Sequence, residues 1–215
     1  MPDIAARLRA ILPSDVTLGE ADDALEPWPG EVLPDAVPAR LAEFAAGRCA
    51  ARQALRDLGF PPASIPMGSD RAPIWPKGTT GSISHCAGAC LAVMGLDRDY
   101  FGIGLDIEPV NPLPVELWPT VLRPEERRDL DGLPQSRQGL QALRVFVAKE
   151  AAYKAQYAIT RQIFDFQILR IIWQDQRFTA EFCSAISPIE KGFQIQGCCA
   201  EDNRFFAAFC AVPTV

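Results

Sequence analysis

The 215-residue sequence predicts an α+β fold in two successive halves, residues 1–104 and 105–215. Each half contains one long segment in which apolar residues recur at helical spacing, over residues 39–58 and 138–157. Each half also contains short runs rich in β-branched and aromatic residues, which are typical of strands. The chain is long enough for one large domain or for two halves of about a hundred residues each.

The first half is predicted to begin irregularly. Five prolines between residues 13 and 38 limit helices to short pieces such as residues 3–12. The helix over residues 39–58 comes next. A strand, a tight turn and a returning strand are predicted over residues 81–94, and a further strand over residues 102–107.

The second half is predicted to open with a helix at Pro124, since proline is favourable at the first helical position. A longer helix follows over residues 138–157. The last third of the chain alternates turns with strand-like runs, at residues 168–173, 178–182, 193–197 and 205–212. The two halves show no obvious sequence repeat.

Bulk composition excludes several classes of protein. The net charge of −6 and the pI near 4.9 argue against a general nucleic-acid binder. No apolar run approaches the roughly 20 residues that span a bilayer, and the first residues lack the pattern of a secretion signal, which predicts a cytoplasmic protein. Seven cysteines without a Cys-x-x-Cys pair, and a single histidine, favour reduced thiols over a disulfide framework or a zinc site.

Three acidic residues carry the candidate chemistry. Asp106 and Glu108 end an apolar strand-like run and lie two residues apart, so they share one face of that strand. Glu150 lies on the long helix of the second half, between Lys149 and Lys154. Oxygen ligands from two elements suit a Mg²⁺ ion that takes its remaining ligands from water and a phosphate. The sequence therefore predicts chemistry on a phosphorylated substrate.

Each pattern also has a plainer interpretation when it is taken alone. The Lys-Glu-x-x-x-Lys pattern is typical of a solvated helix face with i, i+4 pairing, and an acid pair after a strand is typical of a strand that enters a loop. Arg48, Arg52 and Arg56 lie four residues apart on the first long helix and fit a solvated cationic face. His85, beside a turn, fits a hydrogen-bonded structural residue.

Five motifs in chain order give the sequence a family resemblance. They are GRCAARQA at residues 47–54, RAPIWP at 71–76, GSISH at 81–85, GLDIE at 104–108 and FVAKEAAYKA at 146–155. Over about residues 38–210 the chain resembles the 4′-phosphopantetheinyl transferases, specifically the larger monomeric type typified by the enterobactin synthetase component D enzymes. This family transfers the phosphopantetheine arm of coenzyme A to a serine of an acyl or peptidyl carrier protein and releases 3′,5′-ADP.

The resemblance implies a pseudo-twofold pair of α/β subdomains, with the active site in the cleft between them, acting as a monomer. The substrates would be coenzyme A and a carrier domain of nonribosomal peptide, polyketide or siderophore synthesis, with no nucleic acid involved. Carrier domains are usually acidic around the modified serine, and this chain is acidic too. Docking would therefore use a local basic or apolar patch, near the Arg48 helix or the 110–125 loop.

The family's motifs also imply roles for individual residues. Contacts with coenzyme A are implied for Arg48, Arg52, Arg71, Ser84, His85 and Lys149. Mg²⁺, with Mn²⁺ as an alternative, is implied to bind Asp106, Glu108 and Glu150. Glu150 or a metal-bound water would accept the serine proton, and Lys154 would stabilise charge on the transferring phosphoryl group. Lys149 is expected to point about 100° away from Glu150 around the helix, because that is the angle between adjacent helix positions.

Two other classes of function stay open from the sequence. One is a non-catalytic carrier-binding or regulatory protein of the same fold, and the other is a Mg²⁺-dependent hydrolase of coenzyme A or a related nucleotide pyrophosphate. Neighbouring acids repel one another, and a protein without catalytic duty gains nothing from such a cluster, which argues against the first. A requirement for a carrier would separate the transferase from the hydrolase.

Overall fold

Two antiparallel sheets, one in each half of the chain, form the framework of the computed structural model, which describes residues 3–21 and 26–214. The first half contains α1 (Ile4–Arg9), β1 (Thr17–Glu20), α2 (Pro38–Asp57), β2 (Thr79–Cys86) and β3 (Ala89–Leu96). The second half contains β4 (Tyr100–Pro109), α3 (Trp118–Val121), α4 (Pro124–Asp131), α5 (Gln135–Thr160), β5 (Leu169–Gln174), β6 (Arg177–Phe182), β7 (Gln194–Glu201) and β8 (Phe205–Pro213). Short 3₁₀ turns lie at Val115–Leu117 and Phe166–Ile168.

The first sheet has the strand order β1-β3-β2, and the second has the order β4-β8-β7-β6-β5. β2 and β3 form a hairpin whose tight turn includes Gly88, with a φ of +88° that favours glycine. α2 packs on the first sheet and α5 on the second. The predicted α+β class and the two-part arrangement are therefore confirmed.

Most predicted elements are present, with ends that differ by a few residues. Both long helices are confirmed, whereas α1 is shorter than the predicted helix over residues 3–12. β1 was not predicted, because it is four residues long and lies among proline-rich stretches. The predicted division at residue 104 falls inside β4, which pairs with β8. The change from one sheet to the other comes at the preceding turn, residues 97–99.

α5 lies very close to β4, and this contact sets the position of the candidate site. A methyl group at Gly104 would lie 1.8 Å from the carbonyl oxygen of Ala151, and one at Gly102 would lie 2.0 Å from that of Ala155. Glycine on the strand and small side chains on the helix allow this approach. The two backbones therefore hold the acids of β4 next to the polar residues of α5.

β2 and β4 meet where the two halves join. Serine hydroxyls of β2 accept hydrogen bonds from the backbone of β4, from Leu105 N to Ser82 Oγ at 3.0 Å and from Ile107 N to Ser84 Oγ at 3.3 Å. Residues of both halves therefore meet along this seam. Within the described parts of the chain, no helix combines the length and the apolar character needed to cross a bilayer.

Candidate active site

Asp106 lies at the centre of the candidate site, on β4, with 4% of its surface exposed. Its Oδ1 accepts hydrogen bonds from the Ser84 hydroxyl at 2.8 Å and from the Lys154 ammonium at 2.7 Å. Its Oδ2 is one of two buried side-chain polar atoms without a hydrogen-bond partner among the described residues. Because such an atom is costly to bury, Oδ2 is a position that a bound group would satisfy.

Glu108 and Glu150 lie close enough to Asp106 to respond to its charge. Burial raises the pKa of Glu150, and the Asp106 carboxylate raises it further, while Lys154 opposes the rise. Burial also raises the pKa of Glu108, Asp106 adds to that rise, and Lys154 again acts in the opposite direction. Three carboxylates therefore repel one another here, and one ammonium group offsets part of the repulsion.

The donor set fits a hard divalent cation in kind, but it is not gathered around one point. Carboxylate oxygens are the ligands that Mg²⁺ prefers, and Oδ2 of Asp106 is an open ligand position. In residues 3–21 and 26–214, no three His, Cys, Asp or Glu side chains are arranged to hold a metal ion. The Lys154 ammonium pairs with the other oxygen of Asp106. The predicted ligands Asp106, Glu108 and Glu150 are thus neighbours without being preassembled.

Lys154 makes three hydrogen bonds within the protein. Its Nζ lies 2.7 Å from Asp106 Oδ1, 3.1 Å from Ser84 Oγ and 3.0 Å from the carbonyl oxygen of Leu105. The Ser84 hydroxyl donates to Asp106 and accepts from Lys154 and from the backbone of Ile107. Ser84 therefore holds the acid and the lysine together. The Lys154 side chain is still 28% exposed, so a substrate can reach it.

His85 contacts an arginine that the sequence motifs did not single out. Arg40 Nη1 donates to His85 Nε2 at 2.8 Å and to Glu43 at 2.9 Å. Burial lowers the pKa of His85, and Glu43 opposes that effect while Arg40 adds to it. Because a guanidinium group can only donate, the imidazole accepts at Nε2 and is neutral in this contact. Arg40 lies eight residues before Arg48 on α2, on the same helix face, but Phe44 interrupts the four-residue arginine spacing between them.

Arg48 is buried at 7% exposure on the same helix. Its guanidinium stacks 3.8 Å from the centre of the Phe44 ring, and its Nε donates to the carbonyl oxygen of Ile65 at 3.2 Å. Burial lowers the pKa of Arg48 to about 10, and the charge of Arg40 acts in the same direction. Arg40 thus influences both Arg48 and His85. We call these three residues the electropositive region.

Arg52 does not join the electropositive region. Its Nη1 lies 2.7 and 2.8 Å from the two carboxylate oxygens of Glu31, and both side chains are buried. Glu31 also accepts from the backbone of Ile65 at 2.9 Å and of Trp28 at 2.8 Å. The Arg52 guanidinium stacks 4.5 Å from the Trp28 ring. This placement differs from the expectation that Arg52 faces a phosphate, because its guanidinium is paired with a buried carboxylate and links two loops to α2.

Lys149 is also placed away from the candidate site. It is fully buried, and its Nζ lies 2.7 Å from Glu126 Oε2 and 2.8 Å from the carbonyl oxygen of Val121. Burial lowers the pKa of Lys149, and Glu126 opposes the shift. This buried placement differs from the expectation that Lys149 contacts coenzyme A. The helix turns about 100° per residue, so Lys149 enters the core while Glu150 lies near Asp106.

A cavity of about 320 Å³ opens beside Lys154, between β2 and α5. Its charged and aromatic lining consists of Asp70, Arg71, Trp75, Tyr153, Lys154, Tyr157 and Arg161. Asp70 joins the two halves across it by accepting hydrogen bonds from the Tyr157 hydroxyl at 3.2 Å and from Arg161 at 3.3 Å. The structure therefore brings Arg71, one of the predicted coenzyme A residues, to the same cavity as Lys154.

Three residues of this lining were missed in the sequence although a signal was present. Tyr153, Tyr157 and Arg161 follow Glu150 by three, seven and eleven positions. These spacings place them on the same face of a helix as Glu150 and Lys154. The face of α5 that carries the acid thus continues into the cavity.

Comparisons with known proteins agree with the motifs. Residues 29–95 match the model of the 4′-phosphopantetheinyl transferase N-terminal domain, and residues 102–210 match that of the 4′-phosphopantetheinyl transferase superfamily. 4′-phosphopantetheinyl transferase Svp of Streptomyces mobaraensis is 42% identical over 132 residues, which are 61% of this chain and 54% of that protein. 4′-phosphopantetheinyl transferase Npt of Nocardia iowensis is 35% identical over 179 residues, 81% of this chain and 80% of that protein.

Enterobactin synthase component D of Salmonella typhimurium is 43% identical over 121 residues, which are 54% of this chain and 48% of that protein. The chain therefore spans about half the length of two of these relatives and about four fifths of the third. The first match contains α2, β2 and most of β3, and the second contains most of the five-stranded sheet together with α5.

Proposed function

Because the chain belongs to the 4′-phosphopantetheinyl transferase superfamily, we propose that it transfers the 4′-phosphopantetheine arm of coenzyme A to a serine of an acyl or peptidyl carrier protein. The serine oxygen forms a bond to the phosphorus that carries the pantetheine arm. The bond between that phosphorus and the bridging oxygen of the pyrophosphate breaks. The serine proton passes to a base, and 3′,5′-ADP leaves.

The buried Oδ2 of Asp106 is the observation that carries this proposal. Among residues 3–21 and 26–214 it has no hydrogen-bond partner, and it lies where the two halves join, beside two further acids and Lys154. Such a group of charges has a high electrostatic cost unless a substrate and its counterion complete it. If the Asp106 carboxylate bound a cation, Lys154 would need another anionic partner. A pyrophosphate would provide that partner.

We assign the phosphate groups of coenzyme A to the electropositive region. Guanidinium forks bind phosphate oxygens through two parallel hydrogen bonds, and Arg40 is half-exposed, so it can turn from His85 to a ligand. We assign another part of coenzyme A to the cavity, whose cations Arg71 and Lys154 stand beside aromatic walls. Ser84, between these two regions, keeps Lys154 in place through its hydroxyl.

Asp106, Glu108 and Glu150 are the residues that would hold Mg²⁺ or Mn²⁺, and the ion would supply charge neutralisation on the pyrophosphate oxygens. We assign Glu150 as the base that accepts the serine proton. Its carboxylate lies beside Asp106, near the proposed site of phosphoryl transfer, where a docked serine would have to release its proton. Lys154 is assigned to donate to the phosphoryl oxygens as charge moves toward the leaving group.

The carrier would dock on residues 110–121, which we call the docking segment. It begins two residues after Glu108, immediately past the end of β4, so a protein docked there can reach the acids with its serine. Val115 is 65% exposed and Leu117 is 46% exposed, which gives the segment an apolar surface in an otherwise acidic chain. A monomeric state and a cytoplasmic location stay predictions.

A carrier requirement tests the proposal. The protein is incubated with coenzyme A and Mg²⁺, alone, with a panel of apo carrier domains, and with the same domains in which the acceptor serine is replaced by alanine. We expect a carrier to gain the mass of the phosphopantetheine arm, with equal release of 3′,5′-ADP, and no gain on the alanine carriers. Cleavage of coenzyme A without a carrier would indicate a hydrolase. Carrier binding without a mass gain would indicate a non-catalytic binding protein.

A further inference from the structure

A buried ion pair fastens the docking segment to α5. The ammonium of Lys149 donates to the Glu126 carboxylate, to the Val121 carbonyl oxygen at the end of the docking segment, and to the Phe166 carbonyl oxygen at 3.2 Å. These acceptors come from three separate pieces of chain. Lys149 is 0% exposed and Glu126 is 4% exposed. One ammonium group therefore fixes three segments to the helix that carries Glu150.

Glu126 extends the same connection on its other side. Its Oε2 accepts from the backbone of Arg123 at 2.8 Å, and its Oε1 accepts from the backbone of Ile171 at 2.8 Å. The start of α4 and strand β5 are thus tied to the carboxylate. Each charge of the pair is surrounded by hydrogen-bond partners, which is the condition under which a buried ion pair tolerates its loss of water.

The docking segment is held to α5 at two points. At its beginning, Leu113 N donates to the carbonyl oxygen of Gly139 at 2.9 Å, and a methyl group at Gly139 would lie 2.7 Å from Pro112. At its end, Lys149 holds Val121. The two points are ten residues apart on α5, which is about 15 Å. The exposed Val115 and Leu117 lie between them in the chain. Gln167 donates to three further carbonyl oxygens near the second point.

We propose that Lys149 and Glu126 are positioning residues that set the docking segment relative to Glu150 and so govern the use of the carrier, not of coenzyme A. The inference depends on the proposed function, because it assumes that a carrier docks on residues 110–121. Apolar side chains of equal size could fill the same space without a charge. What they could not do is hold the Val121 and Phe166 carbonyl groups at fixed distances from α5.

Two variants test this role. Lys149→Met leaves the Glu126 charge buried without its partner and is expected to lower stability. The double variant Lys149→Met/Glu126→Gln removes both charges, so it should fold more readily while still lacking the donor to Val121. In both, we expect the KM for the apo carrier that wild type modifies best to rise about tenfold, and the KM for coenzyme A to stay within about twofold of wild type. A purely structural role would lower the active fraction and leave both KM values unchanged.

Arg144→Met is the matched control, because Arg144 is also a cation on α5. Its Nη2 lies 2.5 Å from Glu201 Oε2, and this pair lies away from the docking segment. It should leave both KM values unchanged. Hydrogen exchange gives a readout that needs no activity: amides of residues 113–122 should exchange faster in both test variants, and those of β2 should not. Unchanged exchange in residues 113–122, or equal rises in both KM values, would overturn the inference. If wild type modifies no carrier, the proposed function is wrong. Hydrogen exchange of residues 113–122 would then still show whether Lys149 and Glu126 position the docking segment.

Discussion

The two halves of the chain bring opposite charges to one site. The first half contributes Arg40, Arg48 and His85, whereas the second contributes Asp106, Glu108 and Glu150 with Lys154 among them. Under the proposed function this difference separates two tasks. Groups on the first half hold phosphates whose charge changes little, and groups on the second half act where bonds form and break. Substitutions in the first half should therefore raise KM for coenzyme A, and those in the second should lower kcat.

The largest effect is expected from Asp106→Ala. The substitution removes the central carboxylate and leaves Lys154 and Ser84 without their shared acceptor. We expect the single-turnover rate at saturating coenzyme A to fall about a thousandfold or more, while coenzyme A affinity measured by calorimetry changes little. Asp99→Ala, on the exposed turn before β4, is the control and should behave like wild type. A nearly normal rate at low Mg²⁺ would remove Asp106 from the proposed ligand set.

Lys154→Ala should have the next largest effect, on the order of a hundredfold in kcat, with coenzyme A affinity within severalfold of wild type. The structure adds a competing explanation, because Lys154 also holds Asp106 in place. Titrating the variant with Mg²⁺ separates the two. A rate that stays low at every Mg²⁺ concentration supports a donor to the phosphoryl group. Recovery at high Mg²⁺ would show that Lys154 mainly orients the acid.

The first half provides a test within a single helix. Arg40→Ala should raise KM for coenzyme A about tenfold and leave kcat within about threefold, because its half-exposed guanidinium lies beside His85. Arg52→Ala should instead lower the free energy of unfolding by about 3 to 5 kcal/mol, since it leaves the Glu31 carboxylate buried without its cation. The folded fraction of that variant should keep a nearly normal KM. Arg56→Ala, on an exposed turn of α2, is the control for both.

A rise in KM as large for Arg52→Ala as for Arg40→Ala, in protein shown to be folded, would restore Arg52 to the phosphate site. Dephospho-coenzyme A, which lacks the 3′-phosphate, sharpens the result further. The Arg40 effect should shrink with this substrate if Arg40 binds that group, and should persist if it binds the pyrophosphate.

The structure brings together more of the predicted site residues in the second half than in the first, for a physical reason. Asp106 and Glu108 share a strand face because strand geometry alternates every residue, and Glu150 lies opposite because glycines on β4 bring α5 within contact. These relations are local. The partner of Arg52 is Glu31, 21 positions away, in a loop whose path no periodic pattern describes. Helical spacing showed which arginines share a face, but it could not show that a loop covers that face.

Lys149 illustrates the same limit in the second half. Its position in the Lys-Glu pair suggested a phosphate contact, yet its partners lie on α3, on α4 and before β5, at sequence distances of 17 to 28 residues. β1 is too short to show a strand pattern, and the role of its Gly19 is visible only in the contact with α2. A methyl group there would lie 2.0 Å from the carbonyl oxygen of Ala50 on α2. Close packing between distant segments is the information that the sequence patterns did not contain.

The smallest expected effect is a change in thermal stability when Glu150→Gln relieves repulsion among the acids. The folded state raises the pKa of Glu150 through burial and through Asp106. A carboxyl group whose pKa is higher in the folded state than in the unfolded state binds protons more readily when the protein is folded. Such a group therefore lowers the free energy of unfolding as the pH rises above the ordinary pKa of that group. Glu150→Gln removes this cost. At pH 7 without divalent cations, the variant should therefore unfold at a higher temperature than wild type, although it transfers little or no phosphopantetheine.

The difference in midpoint temperature should disappear as the pH falls below the ordinary glutamate pKa of about 4.3, because wild-type Glu150 is then protonated in both states. Added Mg²⁺ should also narrow it, since cation binding stabilises the folded wild type more than a variant with one carboxylate fewer. Glu190→Gln, at an exposed position in the second half, is the control and should leave the midpoint unchanged under all three conditions. If Glu150→Gln instead unfolds at a lower temperature than wild type at pH 7 without cations, then attraction to Lys154 outweighs repulsion by Asp106. The acids of the second half would in that case be held by their lysine and would not need a cation to relieve them.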